Sequence, residues 1–227
     1  MYQYLVILQD CVCISSSYAV LYFILIFNKS FASFEYSKRM YIVKNFIKSA
    51  ALCYMAISSF NDLIPQFYNV CDNELIRRHA SIYVSNDIVA LLVVRRLPLT
   101  TKIHHTITTI LLFYSFNVDF NDETHFGKLL IIYTMMSSYT SIVNFYLAAR
   151  FFRTKEDSTS KYSCIKNTYI DNIRKIAYYN YKYICALNWT LHINILMFKL
   201  FNNKIYFSYY FYFFFLYFII SDDLILM

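Results

Sequence analysis

The chain predicts an all-α fold: a polytopic membrane helical bundle of about seven transmembrane helices. Three observations carry this. Of 227 residues, 59% are hydrophobic and only 15% are charged, against about 25% charge in ordinary soluble domains. The charges gather between apolar runs, several of which approach the roughly 20 residues needed to cross a bilayer. Alternation at period two, the mark of a membrane barrel, is absent.

The runs follow in order. The first, residues 4–27, lacks a positively charged leader and a small-residue cleavage site, so it reads as a retained span. The second, 42–60, carries Lys44 and Lys48 near one end, where their stems can snorkel to the interface. The third, 79–94, is interrupted by Asp87. The fourth, 99–116, follows a basic, Pro-containing turn, Arg95-Arg96-Leu97-Pro98. The fifth, 128–152, is the longest; the sixth, 176–198, contains Trp189 and His192. The seventh, 205–220, is almost wholly aromatic and aliphatic and reads as a lipid-facing span. Six spans result if the second or seventh lies in the interface. The domain division is a first span and loop (1–41), a membrane domain (42–200) and a C-terminal span with a short tail (201–227).

The loops alternate in charge. Residues 28–41, the turn at 95–102 and residues 153–175 are basic, whereas 117–126 hold Asp119, Asp122 and Glu123 without Lys or Arg. Basic loops stay cytoplasmic, which sets the N-terminus outside. The net charge of +7 therefore reads as topology, and no basic helix interleaved with aromatics points to nucleic acid. The 24 Tyr and 22 Phe accompany a single Gly and two Pro, a bias that suggests A/T-rich codons more than an aromatic function. The six cysteines form no C-x-x-C and no Cys/His ligand spacing, so neither a disulfide framework nor a metal is expected. With one glycine, Gly-rich phosphate loops are excluded.

Candidate chemistry sits on the third and fourth runs. His104 and His105 open an apolar helix behind Arg95, Arg96 and Lys102. Ionisable groups inside a span are costly and default to functional suspects. Neighbouring residues point about 100° apart on a helix, so one ring faces a cavity while the other orients or packs. His104 shares a face with Thr108, and His105 with Thr109. Asp87 lies eight residues before Arg95, roughly 12 Å deep, and His105 roughly 9 Å deep, at the helical rise. Antiparallel neighbours thus bring a carboxylate level with an imidazole, whose tautomer it can hold. The alternative for the histidines is interhelical packing. For Asp87 it is a packing contact with Arg77, Arg78 or a tyrosine hydroxyl. Tyr83 lies one turn from Asp87. Asn144 with Ser137, Ser138, Thr140 and Ser141 makes a further polar stripe. His79, His125 and His192 read as isolated interfacial or core residues, and Arg150 and Arg153 as topology signals.

Three segments resemble the TLC-domain family, the multispan family that includes the ceramide synthases. Tyr83-Val84-Ser85-Asn86-Asp87-Ile88 resembles a family segment ending in Asp and a hydrophobic residue. Ile103-His104-His105-Thr106-Ile107-Thr108 resembles the His-His core of the synthase signature. Tyr139-Thr140-Ser141-Ile142-Val143-Asn144-Phe145 resembles a Ser-Thr-Pro-hydrophobic-hydrophobic-Asn stretch of the non-synthase branch. The likeness covers about residues 42–200. It departs where synthases carry paired acids, since this chain has Ser137-Ser138-Tyr139-Thr140-Ser141 there. The resemblance implies a membrane protein of lipid metabolism in an endoplasmic reticulum-like membrane. It implies acyl transfer from acyl-CoA to the amine of a sphingoid base, with His104 or His105 as nucleophile or base and Asp87 orienting it. No tightly bound cofactor is implied; acyl-CoA is a substrate and membrane lipids are the partners. The competing expectation is a noncatalytic lipid-sensing, lipid-binding or membrane-lipid-composition protein.

Overall fold

A computed structural model describes residues 2–62, 65, 71–153, 161–202 and 204–226, with backbone only at 2, 161–165 and 220–226. The described residues form helices and no strand: α1 (Tyr2–Ile26), α2 (Lys29–Ala32), α3 (Tyr36–Asp62), α4 (Asn73–Val93), α5 (Leu99–Ser115), α6 (Gly127–Ser138), α7 (Ser141–Ala149), α8 (Lys161–Phe201) and α9 (Phe207–Leu226). The helix starts have local causes. Asn28 caps α2 by accepting from the Ser30 and Phe31 amides, and Asp72 caps α4 by accepting from Glu74 and Leu75 at 3.0 and 3.1 Å. These side chains satisfy amides that have no intrahelical partner. Pro98 precedes the first turn of α5.

The expected fifth span is not one uninterrupted helix. It divides into α6 and α7 at Tyr139–Thr140, where backbone bonds shorten to three residues (Tyr139 to Met136, Thr140 to Ser137, Val143 to Thr140). The cause is the hydroxyl cluster. Ser138 Oγ and Thr140 Oγ1 donate back to the Met135 and Ser137 carbonyls, and Ser49 Oγ takes the carbonyl of Ser141 at 2.8 Å. Such back-bonding competes with the helical ladder and bends it. The sixth span is also longer than its apolar run, because α8 begins well before residue 176.

Helices α3, α4, α5 and the broken α6–α7 pack around one another, α1 lies against α3 and α4, α8 covers α6 and α7, and α9 covers α5. One core joins Leu52, Met55, Leu111, Leu129, Ile131 and Tyr212; a second, around Phe31, Ile42, Val43, Ala90 and Ala148, lies towards the α1–α3 connection. Close packing on the first core explains the single glycine. A Cβ on Gly127 would meet Phe120 Cα at 3.0 Å and its ring at 2.8 Å.

Among the described residues, two helices are long and apolar enough to cross a membrane, Gln3–Ile26 and Lys166–Phe201, and only 11% and 28% of their apolar windows are buried. Leu5, Leu8, Val12, Phe23 and Ile24 on α1, and Ile176, Tyr183, Ile193 and Phe198 on α8, face outward. A soluble core helix would bury these side chains.

Candidate functional site

The middle of α4 meets the first turns of α5, and Asp87 and His105 touch there. His105 Nδ1 lies 3.1 Å from Asp87 Oδ1, and both side chains are buried. Thr108, one turn further along α5, donates to Asp87 Oδ2 at 3.1 Å and also bonds the His105 carbonyl at 3.0 Å. The two carboxylate oxygens are thus held by different partners, which fixes the plane of the group. Asp87 does not take Arg77 or Arg78. Arg77 donates instead to the Ser115 and Val118 carbonyls at the far end of α5.

The third partner was not anticipated. Lys48 Nζ lies 2.5 Å from Asp87 Oδ1, with the lysine side chain 9% exposed. The expectation that Lys44 and Lys48 snorkel is corrected, since both are buried on α3. Lys44 and Lys48 stand four residues apart, on the face of α3 turned to α4 and α7. A buried ammonium needs a compensating carboxylate, and Asp87 supplies it. The four-residue spacing of Lys44 and Lys48 is visible in the sequence, but it fits a snorkelling pair and a buried pair equally.

His104 faces the same chamber as His105 and points towards α6. Its Nε2 is 3.4 Å from Tyr133 Oη of α6, and its ring stands nearly perpendicular to that of His105, with centroids 5.7 Å apart. The Tyr83 ring lies 4.8 Å from Lys48 Nζ and meets Tyr133 edge to face.

Lys44 and Lys48 of α3, Tyr83 of α4, His104 and His105 of α5, and Ser137 and Asn144 of the broken α6–α7 unit line a chamber of about 120 Å³, and Asp87 lies fully buried behind His105. Ser137 and Asn144 thereby join the site through the helix break. The floor adds Leu52, Met136 and Ile184. Neither ring nitrogen of His105 meets full hydrogen-bond geometry with a partner among the described residues, but Nδ1 faces the carboxylate at 3.1 Å while Nε2 does not. A neutral imidazole carries one proton and one lone pair. A proton on Nδ1 leaves Nε2 as the basic atom.

The remaining histidines lie elsewhere. His79 contacts Ser58 Oγ at 3.0 Å and Asp62 at 3.5 Å near the other end of α3. His192 bonds Tyr212 Oη at 2.9 Å and stacks on that ring, and His125 contacts Tyr114 and Asp122. Arg153 pairs with Asp171 of α8. Two polar ties from α1 were missed in the sequence. Ser81 donates to Asp10 at 2.6 Å, and Tyr18 donates to Asn86 at 2.9 Å. A lone acid at position 10 inside the first apolar run was the available sign.

No family model, curated protein or solved structure matches the chain. The class it defines at this point is an all-α protein with helices suited to a membrane and a buried Lys-Asp-His cluster facing an internal chamber.

Proposed function

We propose that the chain is a multispan TLC-like membrane protein, with seven crossings and an outside N-terminus, that transfers an acyl group from acyl-CoA to a long-chain amine such as a sphingoid base. The family resemblance points to a membrane of the endoplasmic reticulum type. The observation that carries the reading is the buried Asp87 contact, at 3.1 Å, to His105, whose ring lines the chamber. The outward apolar faces of α1 and α8 support the membrane placement.

The chemistry follows from the arrangement. Asp87 holds His105 with Nδ1 protonated, so Nε2 accepts a proton from the attacking amine. The amine nitrogen forms a bond to the thioester carbonyl carbon. The carbon–sulfur bond then breaks, and the proton taken by His105 passes to the departing thiolate. Lys48 offsets the charge of Asp87, so the pair stays neutral in a medium where lone ions are costly. Basic loops on the cytoplasmic side draw in the CoA phosphates. The acyl chain lies among the apolar side chains of the chamber wall.

A second reading is lipid binding without turnover. Lys48 favours it, because an ammonium 2.5 Å from Asp87 takes up charge that would otherwise support His105. The two separate on one assay. Protein purified in detergent, given acyl-CoA and a sphingoid base, releases free CoA and forms amide in the first reading, and His104→Ala with His105→Ala abolishes both. CoA release that survives the double substitution removes the catalytic assignment. A co-purifying lipid with no turnover supports the second reading.

A further inference from the structure

Asp87, His104 and His105 each offer a ligand atom, and the three atoms lie within 4.8 Å of one another in a buried position. From this geometry we infer a zinc-binding site in which the ion and the Lys48 ammonium exchange places on Asp87. The sequence had argued against a metal, because no Cys/His spacing is present. The ligands come instead from two helices and from adjacent positions on one of them.

The distances suit the ion. Zinc holds nitrogen and oxygen ligands at about 2.0 Å, which spaces tetrahedral ligand atoms roughly 3.3 Å apart. His105 Nδ1 and Asp87 Oδ1 are already 3.1 Å apart, and His104 closes by turning its side chain. Zinc has no geometric preference imposed by d electrons, so it tolerates the perpendicular rings of two neighbouring histidines. Outer contacts are in place as well. Thr108 donates to Asp87 Oδ2, and Tyr133 Oη lies beside His104; such contacts orient metal ligands and commonly govern affinity. The chamber beyond the two histidines leaves room for a fourth, exchangeable ligand.

Lys48 is the competitor. Its ammonium and the metal cannot share Asp87 Oδ1 at bonding distance, so loading moves the lysine. The Tyr83 ring, 4.8 Å from Nζ, is the nearby face on which the ammonium can settle. The inference does not depend on acyl transfer and is read from bound metal. It has a consequence for that reaction: whichever ring nitrogen of His105 ligates zinc gives up the lone pair that a general base would use.

The experiment uses the full chain in detergent, stripped of metal, re-equilibrated with zinc chloride and counted by elemental mass spectrometry, with affinity from competition against a chromogenic chelator. The expected result is one zinc per chain. His104→Gln and His105→Gln each weaken binding roughly tenfold or more, with helical content by circular dichroism unchanged. Lys48→Met tightens binding, since it removes the competing charge, and His79→Gln, on the Ser58 contact, leaves it unchanged. Zinc content in the wild type no higher than in the His104→Gln/His105→Gln double variant overturns the site. Equal loss in His79→Gln overturns its placement, and unchanged affinity in Lys48→Met overturns the exchange.

Discussion

At the scale of single residues, the Lys48–Asp87 pair is the contact most costly to break from one side. Its members come from α3 and α4, are buried, and sit 2.5 Å apart. Removing one partner of such a pair strands a charge and costs about 3–5 kcal/mol, whereas replacing both with apolar groups of similar size is often close to neutral. Asp87→Asn is therefore expected to destabilise strongly, and Lys48→Met combined with Asp87→Leu to recover most of the loss. Thermal unfolding in detergent, arranged as a double-mutant cycle, measures both; additive losses would contradict the pairing. Thr108→Val removes a hydrogen bond to the carboxylate and is expected to cost about 1.5–3 kcal/mol by the same measurement.

Among elements, the loop between α5 and α6 acts as a fastener for α8 and α9. Glu123 lies 3.2 Å from both Lys199 and Lys204. Tyr209 donates to the Glu123 and His125 carbonyls, and Ser208 donates to that of Thr124. The two lysines hold the Glu123 carboxyl below its ordinary range. A group with a depressed folded pKa contributes stability above its unfolded pKa and loses it as pH falls through the folded value. Wild type and Glu123→Gln should thus differ in melting temperature at neutral pH, with the gap closing in acid and in high salt. A gap that persists unchanged below the ordinary glutamate range would contradict the assignment. At the start of α6, Gly127→Ala forces its methyl onto the Phe120 backbone. Overpacking of this kind typically costs about 1–3 kcal/mol, and denaturant or thermal melts would show it as a loss without change in helical content.

Over the whole molecule, the outward faces of α1 and α8 are the feature that bears on its environment. Phe23 and Ile24 are 67% and 61% exposed, a placement that favours lipid over water. Under the seven-span proposal, a charge there meets hydrocarbon. Lys at the centre of a spanning helix costs about 2.5–3.5 kcal/mol on insertion scales. Val12→Lys on the exposed face of α1 should reduce the membrane-integrated fraction after alkaline extraction, while an exposed loop position such as Arg95→Lys should not. Equal extraction of both variants would argue against α1 as a lipid-facing span.

Helix type and most helix limits were legible because they depend on local order: apolar run length, proline at 98, and charges between runs. Asp87 and His105 were also within reach, since equal depth on two antiparallel neighbours needs only the helical rise and a turn between them. Lys48 was not, because it stands 39 residues from Asp87 and nothing local distinguishes a snorkelling lysine from a buried one. The break at Tyr139–Thr140 depends on Ser49 reaching the Ser141 carbonyl from another helix, and the joining of His104 to Tyr133 depends on how α5 and α6 pack. The sequence by itself determined an all-α chain with polar groups at matching heights. Tertiary structure alone decided which buried charges neutralise one another, because pairing is set by the facing of helices distant in sequence.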